Sequence, residues 1–368
     1  VFQPFARLSG LGSPNRRPRL PYALEQLEGR VVPATAAFAN GVLTVTATTN
    51  GDVIGFTSPS GNPVVGATAI TANGSTIFDS GVTRQVPSSI VVRMNSVNIA
   101  TLNVSAYVYG SLTVTGAKTD STVTFSNSPR ILGNFTYSAA SPTGAAADTI
   151  TWGGAGVTGS RVNGNMTLTL GGGANSVSIN AGTVQGNLKI TGGASSDILT
   201  VGTSSASGQF HVLGTSAISL GNGFNSLTGN LGGYASDGGF SYLGGTNSDT
   251  VDFVTHTSVL TTGGTATINM GGGGVDSNFL YLYKPAVGGS LTLTGGAAGD
   301  RFYVSGGMTV GTTLSLLPGN GTNEIDLGNT NGGSVPTGPV NIGGGVVYQG
   351  GTGDDDFKMP AGYVGKGL

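Results

Sequence analysis

Leu188 and Ile190 are apolar on either side of Lys189, and Leu291 and Leu293 alternate with Thr292 and Thr294. Alternation of this kind is the period-two signature of a half-buried strand. Such runs recur along the chain. Each is short, opens on a glycine and ends in another turn of small residues. The openings fall at Gly110, Gly133, Gly164, Gly186, Gly208, Gly239, Gly264, Gly289, Gly311 and Gly338, at intervals of 22 to 31 residues. An Asp or Asn precedes the second strand of each unit, at Asp120, Asp148, Asn175, Asp197, Asn225, Asp249, Asp276, Asp300, Asn323 and Asp354. A repeat of this length built from strands and turns, with no crossover helix, predicts one coil of a parallel β-helix per unit. The fold class expected is therefore all-β, a β-solenoid of about ten to twelve coils. Tandem sandwich modules would need about 100 residues each, which the short period does not supply. Glycine at the corners is expected to provide positive φ, and Asp or Asn to bond its own backbone there.

Composition narrows the class. The chain has 368 residues, with 67 Gly and 15 Pro but no G-X-Y period, which excludes collagen. With 38% hydrophobic and 9% charged residues, alternating as strands do, it is not a disordered chain. A formal net charge of −2 leaves no electrostatic footprint for nucleic acid. The absence of cysteine removes disulfides, thiol catalysis and thiolate metal sites. No run of 18 apolar residues predicts a membrane-spanning helix.

Residues 1–36 read as an N-terminal arm and residues 37–368 as the solenoid. Over its first 33 residues the arm carries Arg7, Arg16, Arg17, Arg19 and Arg30 against Glu25 and Glu28, and its one expected helix is the short YALEQLEGR segment. The stretch from Leu24 to Ala34 resembles the LExLExRxVPA leader of many secreted, repeat-rich planctomycete proteins, with Gly29 where a polar or acidic residue is more usual. The resemblance covers about a dozen residues and implies export to the cell surface or beyond.

Gly350 to Lys358, with Asp354, Asp355 and Asp356, resembles a single calcium-binding RTX nonapeptide, and the resemblance implies calcium as the one candidate cofactor. The segments 192–200, 244–252 and 295–303 echo it without the second turn glycine, and are expected to be polar strand-entry turns. A polysaccharide lyase would need acids and a base converging on neighbouring coils. The close acid pairs in the middle of the chain are Asp249 with Asp252 and Glu324 with Asp326, and the latter reads as a solvated edge. His211 and His256 read as ordinary strand residues. Repeated Thr-x-Thr pairs place hydroxyls on outer faces, but the irregular repeat would break an ice lattice. Phe279, Tyr281 and Tyr283 form an i, i+2, i+4 row, expected in the core; exposed, the row would be a sugar-stacking or docking patch.

These observations predict a non-enzymatic extracellular structural protein that joins head to tail into a fibre or surface layer. Its partner would be itself, through the basic arm (Arg7, Arg16, Arg17, Arg19) and the acidic tail (Asp354, Asp355, Asp356). The alternatives are a carbohydrate-binding or adhesive surface protein with polysaccharide as partner, and a polysaccharide lyase using Asp249 or Glu324.

Overall fold

The computed structural model describes residues 34–57, 69–83, 86–141, 144–154, 159–203, 208–254, 258–272, 277–328, 338–359 and 363–364. The arm through Pro33, with Arg7, Arg16, Arg17, Arg19 and the expected helix, lies outside the described residues, as do His256 and Asp276.

The chain from Val32 onward forms one compact unit, a β-solenoid. Three parallel ladders run along it. The first begins at Val42–Thr46, continues through Ser89–Arg93, Ser111–Thr115 and Phe135–Ser138, and ends at Val346–Gly350. The second runs from Asp52–Thr57 through Ile99–Val104 and Asp120–Phe125 to Asp356–Lys358. The third is made of strands mostly of two or three residues, such as Tyr107–Val108, Arg130–Ile131 and Arg161–Val162. Phe279–Val287 breaks this pattern by serving the second and third ladders in one strand. It turns at Lys284, whose φ is +45°, beside Gly306 of the next coil, whose φ is +74°. About nine turns have all three strands paired on both sides, slightly fewer than the ten to twelve expected. The difference lies in partial coils at the two ends, which carry repeat markers without closing.

Alternation explains the core. In Asp120–Phe125, Val123 and Phe125 point inward and are fully buried while Thr122 and Thr124 face out. Each such inward Leu, Val or Phe contributes roughly 1.5–3 kcal/mol on burial. Phe125, Phe135 and Trp152 meet with ring centroids 4.7 to 6.0 Å apart, joining the first two ladders across the interior.

Positive φ falls at corner glycines such as Gly153, Gly202, Gly221 and Gly271, as expected, whereas none of the ten unit-opening glycines takes it. They are needed for close approach. Gly133, Gly164, Gly186, Gly214, Gly238, Gly264 and Gly289 form a hydrogen-bonded column, each N–H donating to the preceding carbonyl at 2.6 to 3.1 Å from Gly164 onward. A Cβ on Gly186 would lie 2.8 Å from the Gly164 carbonyl oxygen. Gly214 and Gly238 replace the expected Gly208 and Gly239 in this column, because Gly208 leads into the third-ladder strand Phe210–Val212.

The N-terminal end is closed by antiparallel strands. Thr35–Ala39 folds back on Val42–Thr46, and Ala69–Ala72 pairs with Asp52–Thr57.

Candidate functional site

Three features carry the chemistry of the solenoid: a buried column of acids and amides, an open last rung, and an aromatic outer face.

The column occupies the inward position that precedes the first apolar residue of each second-ladder strand. From Asp148 onward it reads Asp148, Asn175, Asp197, Asn225, Asp249, Asn278, Asp300, Asn323 and Asp355, alternating without exception. All but Asp355 are buried. Hydrogen bonding accounts for the alternation. The Asp197 N–H donates to Asn225 Oδ1 at 3.0 Å, and the Asn225 N–H donates to Asp249 Oδ1 at 3.1 Å. The Asn175 and Asn278 amides donate to the next carboxylates, Asp197 and Asp300, at 2.7 and 2.9 Å. The second oxygen of each buried acid accepts from a turn glycine, as Asp300 does from Gly296 at 2.6 Å. An amide between acids supplies the donors that two stacked carboxylates lack. At the N-terminal end Asn73, in a hairpin turn, plays the amide's part: it donates to Asp52 Oδ1 at 3.0 Å and accepts from Val53 N–H at 2.8 Å.

Burial raises the carboxyl groups of Asp148, Asp197 and Asp300 above the usual carboxylate range, with hydrogen bonds pulling the other way. Asp249 is pushed up to about 6 by the same burial, opposed by donors from Asn225 and Gly245. At Asp52 desolvation also acts upward, but donors from Thr49, Thr48 and Asn73 outweigh it and hold the group low.

Three expected markers move. Asp120 is exposed, and Ser121 holds the column position, donated to by Ala117 N–H. Asn278 occupies the column in the coil of Asp276. Asp354 is exposed, and Asp355 takes its place. The acid cluster at the C-terminal end is thereby divided. Asp355 accepts from Asn323 Nδ2 at 2.7 Å and from Tyr348 Oη at 2.5 Å. Desolvation first, and then this contact with Asp355, pushes the tyrosine up to about 12. Asp356 pairs with Lys358 at 2.6 Å. Among the described residues no group of three or more acids or histidines is placed to hold a metal ion.

The acids considered for catalysis are separated in the same way. Asp249 is sealed in the column, whereas Glu324 faces outward, accepting from Tyr303 Oη at 2.5 Å and lying 3.7 Å from Lys358. Glu324 and Asp326 share the outer face, as their spacing predicts. His211 is also outward, its Nε2 2.7 Å from Asp237.

The last rung is open. Val346–Gly350 pairs with Leu314–Gly319, and Asp356–Lys358 with Glu324–Asp326; neither has a further strand beyond it among the described residues. Tyr348 and Phe357 stand at the positions where Leu316 and Ile325 are fully buried one coil earlier, yet they are 38% and 36% exposed. Their rings stack on each other at 5.3 Å, covering part of the core's end.

Phe279, Tyr281 and Tyr283 do not lie in the core as expected. Leu280 and Leu282 fill the interior, and alternation sends the three rings to the outer face, where they are partly exposed. The sequence signal was present in the two leucines, which claim the inward phase as strongly as the aromatics.

Compared with known proteins, the chain matches no family model, no curated protein and no solved structure at a significant level.

Proposed function

We propose that the protein is a non-enzymatic structural element of the cell surface or extracellular space, whose copies join end to end. The observation that carries this reading is the last rung, whose strands pair with no further strand among the described residues and whose inward-phase rings, Tyr348 and Phe357, are partly exposed. An edge of this kind is a template for another chain. The closed N-terminal end makes the two ends unlike, which favours a heterologous contact that propagates. The basic arm (Arg7, Arg16, Arg17, Arg19) supplies charge complementary to Asp354 and Asp356. The leader resemblance supports export. A structural role is further supported by the engagement of the acids considered for catalysis, Asp249 in the column and Glu324 in its outer-face contacts.

Sedimentation velocity with negative-stain microscopy tests the reading. Wild-type protein is expected to form end-to-end oligomers at low ionic strength that disperse as salt screens the termini. Phe357→Lys, which places a charge on the open end, is expected to leave monomers with unchanged circular dichroism. Wild-type protein that stays monomeric at low salt contradicts the proposal.

A further inference from the structure

We propose that the outer face of the second ladder, from Phe279 to Asp326, binds a neutral polysaccharide chain. This site is separate from the open rung and independent of end-to-end assembly.

In several earlier coils the outward positions of this ladder carry small hydroxyl residues, Thr122 and Thr124, then Thr149 and Thr151, then Ser176 and Ser178, and where an exposed Ile99 or Ile198 intervenes no aromatic ring is present. Further along the stack the same positions hold Phe279, Tyr281 and Tyr283, followed by Arg301 and Tyr303, then Glu324 and Asp326. The strand register is unbroken through the second ladder, so the backbone does not require the change. Nor does the core, which Leu280, Leu282, Phe302 and Val304 already fill. Threonine serves an outward strand position as well as tyrosine does. The rings are thus an addition to the surface.

Their arrangement suits a sugar chain. Phe279 and Tyr281 are nearly parallel, with an interplanar angle of 8° and centroids 6.2 Å apart, and Tyr303 of the next coil lies 5.2 Å from Tyr281. An aromatic surface of this kind accepts the C–H face of a pyranose, while hydroxyls at the ring edge need paired donors and acceptors. Those groups flank the platform. Arg301 lies over Phe279 at 5.3 Å, Glu324 accepts from Tyr303, and Asp252 is in register with Tyr281. Beside Tyr283 a shallow hollow of about 200 Å³, lined by Lys284, Gly306, Met308 and Pro339, continues the surface.

Two features select the ligand. Over this stretch Lys284 and Arg301 stand against Asp252, Glu324 and Asp326, a balance of two positive to three negative charges that gives a polyanion no advantage. The platform is an open sheet face, whereas small ligands are usually enclosed. A long neutral chain lying across the coils fits both.

The test uses the full chain with cellohexaose, xylohexaose and chitohexaose as probes, and a galacturonate hexamer as the anionic control. At least one neutral hexamer is expected to bind by calorimetry and quench tyrosine emission without altering that of Trp152, which is buried in a distant coil. Tyr281→Thr and Tyr303→Thr install the residue the earlier coils carry, so the fold is retained. Each is expected to weaken binding about tenfold or more, while Tyr281→Phe stays within about threefold of wild type. A fivefold rise in salt, of order 0.1 to 0.5 M, is expected to leave affinity unchanged. The proposal is overturned if none of the three neutral hexamers binds, if binding survives both threonine changes, or if only the galacturonate hexamer binds and salt removes it.

Discussion

Asn225 illustrates how one side chain sets the electrostatics of the interior. It stands between Asp197 and Asp249, and the coil spacing of roughly 4.8 Å would bring stacked carboxylates that close. Two charges at about 5 Å repel by roughly 3 kcal/mol at an effective dielectric near 20, and about half that at twice the distance. Alternation keeps the acids two coils apart. Asn225→Asp is therefore expected to destabilise the protein by several kcal/mol at pH 7, and by much less near pH 4, where the added acid is protonated. Urea unfolding at the two pH values measures the difference. The wild type has a pH dependence of its own. The folded pKa of Asp249, about 6, exceeds the unfolded value, so the folded state binds more protons between about pH 4 and pH 6. Its contribution is fully present below that window and lost as pH rises through it, so the unfolding midpoint should rise on going from pH 7 to pH 5. Tyr242 faces Asp249 but titrates far above this range, and Asp52 below it. Most of the column was legible as a recurring acid or amide. The misplaced members, Asp120 and Asp354, stand out of phase with the inward residues Val123 and Phe357, so combining the marker with period-two parity would have selected Ser121 and Asp355. Asp276 has the right parity, and only its distance from Leu280 separates it from Asn278.

At the scale of the element, glycine acts through two different constraints. Gly186 has an ordinary φ but no room, since an added Cβ would meet the Gly164 backbone at 2.8 and 2.9 Å. Gly74, in the Asn73–Gly74 turn, has φ +82° and nothing within 4 Å of the added atom. Gly186→Ala is expected to cost about 2–3 kcal/mol, because backbone must move. Gly74→Ala should cost about 1–2 kcal/mol, the penalty of left-handed backbone alone. Thermal denaturation of both variants checks the order, and equal losses would refute the crowding argument. Strands of the first two ladders were legible because most have four or more residues and show alternation. The third ladder was not: pairs such as Arg130–Ile131 are too short to carry a period, and one such short strand drew Gly208 into the wrong column. The row at Phe279, Tyr281 and Tyr283 was legible as a shared face, but composition alone assigned that face to the core.

For the solenoid as a whole, the repeat predicts one continuous core, and the structure supplies it from Leu43 through Ile342. The ends differ for a local reason. Asn73 completes the N-terminal hydrogen bonds from a hairpin, whereas Tyr348 and Phe357 form only a partial cover at the other end. Stability in stacked repeats is shared between neighbours, so interior coils should open together and the last rung should open first. Hydrogen exchange read by mass spectrometry tests this most directly. One protected block is expected across the coils from Val42 to Leu316, with fast exchange among the described residues confined to turns and to Val346–Lys358. Separate blocks of about 100 residues, each exchanging with its own stability, would contradict a continuous ladder.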